Sequence, residues 1–472
     1  MAGLLGDLLA ASRALAAQQT GVQVAGRNIA NVNTPGYARQ RVILGDRAIV
    51  QTANGWQGTG VEALGIKQIR DALLDVQVIR ESSQSEYLSA QSTAYGNAQS
   101  ALGETIDRSG DSAAIGNATG STNGLATAMN DFFNAFDNLA SNPTQAGVKQ
   151  VLLQKADTLV SKFNLADQRL AGVQTDLTTQ TGTGATSADG FLKQIADLNK
   201  QIQLAELGAP GSALDLRDQR QSRLEELSKY MNFTTTSIPG SNGQIQITAK
   251  DTGGADVLLV DRGNALGTLA FNGTSFTGGS TGTMLALTGG SLQGNLSARD
   301  GAIQQLRDSV KLTASQFATA VNSAYNPTGA TGNVFTVPPA SGVIQLDPTL
   351  SLSTLKTTDT GNVGANELAL AVSEVAQKKF STAGGDLVNG TIGGFYNQIV
   401  SGFGETIVGV DSKLTDAKLV QGLVTQQRDA VSGVSMDEEV ADMMKFQRAY
   451  QASSRVIGVI DTMLDSLINL GR

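Results

Sequence analysis

Residues 4–37 read LLGDLLAASRALAAQQTGVQVAGRNIANVNTPGY, and the spacing of the apolar and small positions decides how the chain begins. Leu4, Leu8, Ala11, Leu15, Val22, Ala25, Ile29 and Val32 recur at intervals of three and four, with Gln18 at the one polar position. That rhythm is a helical seam of period 3.5, the pattern by which one helix packs along another. It stops at Asn33-Thr34-Pro35-Gly36-Tyr37. Proline disfavours helix in the residue before it, and Gly36 suits the second central position of a type II turn. The far end repeats the rhythm in Met443, Phe446, Tyr450, Ile457, Ile460, Leu464 and Leu467, with Ser453 in the gap. Ser435-Met436-Asp437-Glu438 reads as a capping box at its start, and the acids from Asp437 to Glu439 suit the positive end of the helix dipole. At about 1.5 Å per residue these helices are roughly 43 and 52 Å long, enough to lie along one another. Periodicity alone fits a coiled coil and a pair of amphipathic helices in an ordinary bundle equally well.

Between the ends, proline placement divides the chain: Pro35 is the only proline before Pro143, and none follows Pro348. Helical stretches are expected at 66–105, 125–140, 148–178, 191–207, 213–231, 296–324, 367–379 and 395–427. The Gly, Ser and Thr-rich segments 109–124 and 181–190 read as loops. From 233 to 291 the pattern changes to β. Gln244-Ile245-Gln246-Ile247-Thr248 alternates with period two, and Asn272-Gly273 predicts a two-residue hairpin turn that sets Leu269 opposite Phe276. A second strand-like patch covers 332–346. The expected fold is mainly α and elongated, with the end helices paired, a helical-bundle body and a small inserted β domain. Its expected domains are 1–35 with 432–472, 36–232 with 292–431, and 233–291.

Composition excludes most chemistry. Across 472 residues there is no Cys and no His, so imidazole bases, thiolate nucleophiles, disulfides and His or Cys metal ligands are absent, and no cofactor is expected. The net charge of -8 argues against nucleic acid as a partner. No cleavable secretory signal and no run long enough to span a membrane is evident. Ser353-Thr354-Leu355-Lys356 matches S-x-x-K without its companion motifs, and reads as chance. Asp215, Asp218, Glu225 and Glu226 alternate with Arg217, Arg220 and Arg223, which predicts surface ion pairs at helical spacing. A carboxylate-dependent enzyme on a helical stalk, such as a glycosidase, remains a second class, with Asp251, Asp256 and Asp261 as its only acids in the β segment. Gly21 and Gly26 each cost a helix roughly 1 kcal/mol relative to Ala. A helix patterned to pack but poor at forming alone points to ordering on assembly.

Several blocks carry a resemblance. Leu15-Ala16-Ala17-Gln18-Gln19, followed by Asn28 to Tyr37, resembles the N-terminal signature of the flagellar rod, hook and hook-associated protein family. Met129-Asn130-Asp131-Phe132-Phe133, Leu216-Arg217-Asp218-Gln219-Arg220, the block Ser432 to Glu439 and Phe446 to Ala452 are similar to its hook-associated members. The resemblance implies a structural subunit at the junction between hook and filament, exported unfolded through the flagellar type III system to the cell exterior. It further implies assembly with itself in a ring or helix, contact with the hook protein and with the third hook-associated protein, and a cytoplasmic export chaperone at the C-terminal helix. The end seams and the Asn33, Thr34, Pro35, Gly36, Tyr37 turn are then the expected assembly residues. A hook, distal rod or third hook-associated protein is the alternative within the family, against which the 435–452 block and the long helical body argue.

Overall fold

In a computed structural model the described residues are 2–34, 36–46, 50–52, 55–57, 60–103, 124–329, 332–338 and 343–470. Helices dominate, and the described residues form two compact units. One comprises Met1–Ser85, Gly184–Gly290 and Ala417–Arg472, the other Glu86–Thr183 and Ser291–Asp416. The sequence reading had instead separated the chain ends, the helical body and the β segment from one another. No helix among the described residues is long and apolar enough to cross a membrane.

The first unit holds both chain ends. Helix α1 (Ala2–Ala30) leads into a ribbon of β1 (Gln40–Asp46) and β4 (Val61–Gln68), with a short hairpin of β2 (Val50–Thr52) and β3 (Gly55–Gln57) between them. This ribbon was not foreseen, because Arg41 to Leu44 is too short a run to announce a strand. Helix α2 (Ala72–Leu102) follows, later in starting than expected because Asp71 caps it through the Leu73 amide at 2.8 Å.

Helix α3 (Leu125–Ser141) precedes the longest element, α4 (Ala146–Ala205), which overturns the loop expected at 181–190. Its glycines and threonines were read as breakers. Burial outweighs that local preference, since Leu177, Thr181, Ala185, Ala188, Leu192, Ile195, Asn199 and Ile202 are all buried at helical spacing. The threonine hydroxyls are satisfied inside the helix, Thr181 donating to the Leu177 carbonyl at 2.7 Å and Thr183 to that of Thr179 at 3.0 Å. The segment 104–123, most of the other expected loop, lies outside the described residues.

After α5 (Leu214–Ser228) the β insertion forms a four-stranded antiparallel sheet of β5 (Thr234–Ser237), β6 (Ile245–Lys250), β7 (Asp256–Asp261) and β8 (Asn264–Ala265). A three-stranded sheet of β9 (Ala270–Phe271), β10 (Phe276–Gly278) and β11 (Thr283–Leu285) completes it. Here Phe271, not Leu269, pairs with Phe276. Asn272 explains the four-residue loop: its Oδ1 accepts the Thr274 and Ser275 amides at 3.0 and 2.9 Å, which widens the turn. The sheets are held to the rest of the unit by Asn199, fully buried, which donates to the Ile245 and Arg262 carbonyls at 2.9 and 2.7 Å.

The second unit is built on an aromatic core. Phe132, Phe136, Phe163, Phe317, Phe335 and Tyr325 are fully buried, and Phe132 meets Phe317 edge-on at 5.3 Å between ring centres. They come from α3, α4, α7 (Gln304–Tyr325) and β12 (Phe335–Thr336), which pairs with β13 (Gln345–Leu346). Helix α6 (Gly290–Ala298) joins α7 through a π-helical turn at Arg299–Ile303, where Gly301 leaves helical geometry. Helix α8 (Glu367–Glu374) completes this unit, and α9 (Ile392–Ser432) and α10 (Met436–Leu470) end the chain.

Candidate functional site

Helices α1 and α10 pack on each other, and small residues set how closely. A Cβ at Gly21 would lie 2.6 Å from the Phe446 ring, so the glycine is the notch that the ring fills. Its helix penalty is offset by this close approach. At Gly26 the neighbour is Met443, at an ordinary 3.8 Å.

Along the predicted seams, Leu8, Leu15, Val22, Ile29 and Val32 are half-buried, as are Met443, Phe446, Ile457 and Leu464. Ile460 is buried. The deepest positions of α1 are instead Ala17, Val24, Ala25 and Asn28, because this helix also packs on β1 and β4 and so buries two flanks. Tyr450 is exposed at 36%, and Ala449 takes the inner place between Phe446 and Ser453, where a small side chain suits the narrow separation. Leu4 and Leu467 lie in the helices, but their side chains are outside the described residues.

At the foot of the pair the turn has the geometry its residues dictate. The Tyr37 amide donates to the Thr34 carbonyl at 3.2 Å, and Gly36 has φ of +77°, the left-handed value that a type II turn demands there. Asn33 and Thr34 are exposed, and Pro35 lies outside the described residues.

What fastens this turn was not foreseen from sequence. Asn28, 1% exposed, uses both ends of its amide. Its Nδ2 donates to the Gln40 carbonyl at 2.8 Å and to Glu439 Oε2 at 2.9 Å. Its Oδ1 accepts the Gln40 amide at 3.0 Å and the Tyr37 hydroxyl at 2.9 Å. Arg39 completes the clasp, with Nε on Glu439 and a second nitrogen on Glu438, both at 2.6 Å, and its backbone amide on the Ser432 carbonyl. Glu438, expected to reach back to the Ser435 amide, therefore holds Arg39 instead. The signal that could have found these residues was present: Asn28 continues the Gly21, Ala25 spacing, and Glu439 stands four before Met443.

A second tier secures the turn from α5. Arg70 donates to the Gly36 carbonyl at 2.8 Å, to Asp218 at 2.6 Å and to Asp75 at 3.1 Å. The expected surface ion pairs on α5 are thus a correction: Asp218 and Arg220 are buried, and their partners lie far off in sequence. Arg220 donates to Asn199 Oδ1 and the Gly243 carbonyl, Arg217 grips Glu206 through two 2.8 Å bonds, and Arg428 pairs with Glu225 at 2.7 Å. Burial pushes the Asp218 carboxyl up to about 6 against the pull of Arg70, and its Oδ2 is buried without a partner. Burial, with the charges of Asp218, Asp215 and Glu439, pushes the Tyr37 hydroxyl up to about 12 and keeps it a donor. A cavity of about 370 Å³ beside the turn is lined by Thr34, Tyr37, Arg70, Asp75, Arg428 and Ser432.

Most of these groups engage one another, an arrangement suited to holding chain segments together. Among the described residues no group of three or more acids is placed to hold a metal ion. The acids of the β insertion are engaged locally: Asp251 accepts the Gly253 and Ala255 amides, Asp256 pairs with Lys250, and Asp261 accepts from Gln246.

Comparison with known proteins follows the same geography. The family model "Flagellar hook-associated protein FlgK helical domain" matches residues 117–334. "Flagella basal body rod protein" matches 8–37, and "Flagellar basal body rod FlgEFG protein C-terminal" matches 425–470. Flagellar hook-associated protein 1 of Bacillus subtilis is 26% identical over 97% of both chains. That of Escherichia coli is 25% identical over 97% of this chain and 98% of its own. The structure of the flagellar hook junction protein FlgK from Burkholderia pseudomallei aligns with a TM-score of 0.45 and 22% identity, covering 56% of this chain and 47% of that one. Rod-type ends around a hook-associated helical domain define a structural component of the flagellum that assembles with other axial proteins. Within that class, the chain is similar to flagellar hook-associated protein 1 along nearly its whole length.

Proposed function

We propose that this chain is a non-enzymatic structural subunit standing between hook and filament, outside the cell. The observation that carries the reading is the match to hook-associated protein 1 relatives over almost their whole length, with the rod-type models on the two paired end helices. The mutual pairing of acids and bases around Asn28 supports a structural role over catalysis. Its partners are other copies of itself in a ring or helix, the hook protein on one side and the third hook-associated protein, leading to the filament, on the other. Export unfolded by the type III route accords with the absence of cysteine, and α10 is the segment for a cytoplasmic chaperone. In this reading the assembling parts of the chain are 1–35 with 432–472, 36–232 with 292–431, and 233–291. The seam residues and the 33–37 turn are the assembly contacts.

The test is deletion and complementation. Cells lacking the gene are expected to make complete hooks, grow no filament and release unassembled flagellin into the medium. Normal filaments on such cells would overturn the reading. Loss of hooks as well would instead favour the hook or distal rod alternative.

A further inference from the structure

Beside the terminal pair, a groove of about 900 Å³ runs between the β1–β4 ribbon and α10 over the floor of α1. Its apolar side includes Val24, Val42 and Phe446, and the ribbon brings the exposed Ile43 and Leu44 to its edge. Its charge is one-sided. Arg41 and Lys67 stand directly opposite each other across the ribbon, an arrangement that destabilises a strand pair when both charges are alike. Lys445 of α10 lines the same groove. The groove's acids, Glu439 and Asp442, are taken up by Arg39, and among the described residues no ion pair reaches Arg41, Lys67 or Lys445.

The last turns of α10 show the opposite fault. Asp461 and Asp465 are four apart on one helical face, where like charges repel, and they approach the helix's negative end, which has no basic residue in its last turn. Three residues on, Ile468 lies on that same face, 63% exposed. An acidic helix with an apolar residue is the complement of a basic groove with an apolar edge. The two cannot meet within one chain, since Lys445 and Asp465 are separated along a straight helix by roughly 30 Å.

We propose that the groove receives the Asp461–Ile468 face of α10 from a second copy of this chain. The contact joins two different surfaces, so it is heterologous, and every copy that docks its tail still offers an empty groove. Such contacts propagate into rings or helices. The proposal rests on the self-assembly reading above and names the surfaces that perform it.

Because the chain has no cysteine, the test is clean. Two full-length, differently tagged proteins, Lys67→Cys and Asp465→Cys, are mixed at high concentration and treated with a short thiol crosslinker. The mixed product is expected to exceed either same-variant product by about tenfold, and to fall as salt screens the exposed charges. Adding Arg41→Glu to the first protein should abolish it, and adding Asp461→Arg to the second should restore it. Equal same-variant and mixed products, or a product indifferent to charge reversal, would overturn the proposal. Cells carrying Arg41→Glu with Lys67→Glu separate the two readings: normal filaments from this variant defeat the groove contact and leave the junction role standing.

Discussion

The aromatic core of the second unit and the α1–α10 pair of the first use apolar residues to opposite ends. Phe132, Phe163 and Phe317 are shut completely away from water, each contributing the roughly 2–3 kcal/mol of a fully buried side chain. Among the described apolar side chains of α10 beyond Phe446 only Ile460 is buried, while Val456, Val459 and Met463 stay about half exposed. A single chain thus finishes one core and leaves the other with apolar surface to spare. Apolar surface beyond what a lone chain covers marks a place of contact with others.

The contrast can be broken at several points. Phe132→Ala should remove about 3–5 kcal/mol from the second unit, read as a lowered urea midpoint; a loss under about 1 kcal/mol would show that core to be loosely packed. Asn28→Ala removes one of the partners of Glu439 and the side-chain partner of the Gln40 backbone, for a loss of about 2 kcal/mol confined to the clasp. Faster exchange of the Gln40 amide, by about thirtyfold, is the readout, and unchanged protection would remove Asn28 from its central place.

Gly21→Ala gains about 1 kcal/mol of helix propensity but drives a methyl into the Phe446 ring, so a net loss of roughly 1–2 kcal/mol is expected. A second change, Phe446→Leu, should recover part of it. Stabilisation by Gly21→Ala alone would show that the notch is not filled.

Asp218 gives a pH-dependent case. Its pKa is raised from the ordinary 3.8 to about 6, so the folded chain takes up this proton before the unfolded chain does. Its contribution therefore falls as pH rises between about 4 and 6, and stays low above. Asp218→Asn should be about 1 kcal/mol more stable than the parent at pH 7, the weakened Arg70 contact offsetting the rest, and no more stable at pH 4. Parallel stability curves for the two proteins would disprove the shift.

The smallest expected effect on the lone chain is at Val459. Val459→Asp places a charge on a half-exposed site and should change the stability of the lone chain by no more than about 0.5 kcal/mol, yet stop filament growth in complemented cells. Ordinary growth would show that this flank of α10 faces water in the assembly too.

How far the sequence revealed these features depended on how local their causes are. The end helices and the turn were legible because a three-four rhythm, a proline and a glycine each act within a few residues. The capping and hairpin details went astray where a side chain preferred a distant or unexpected partner, Glu438 choosing Arg39 and Asn272 widening its loop. Thr181–Gly190 was misread because composition reports propensity, and the buried line from Leu177 to Ile202 overrode it. Asn28 and Glu439 escaped notice as polar residues on packed faces, where only the fold shows each to be the other's partner. The Leu216 to Arg220 block stood out as a family signature, but its role in bracing the turn through Asp218 depends on Arg70, which lies 148 positions away.

The Asn28 to Glu439 bond spans 411 residues of chain, which makes it a test of length. Closing so long a loop in a bare chain carries about 5 kcal/mol of entropy, so the clasp is favoured only once intervening segments have folded and drawn the ends together. The turn is therefore expected to lock last. A chain broken off before residue 438 leaves Asn28 without its acidic partner and Arg39 without either glutamate, so the clasp reports that the start of the last helix has been made.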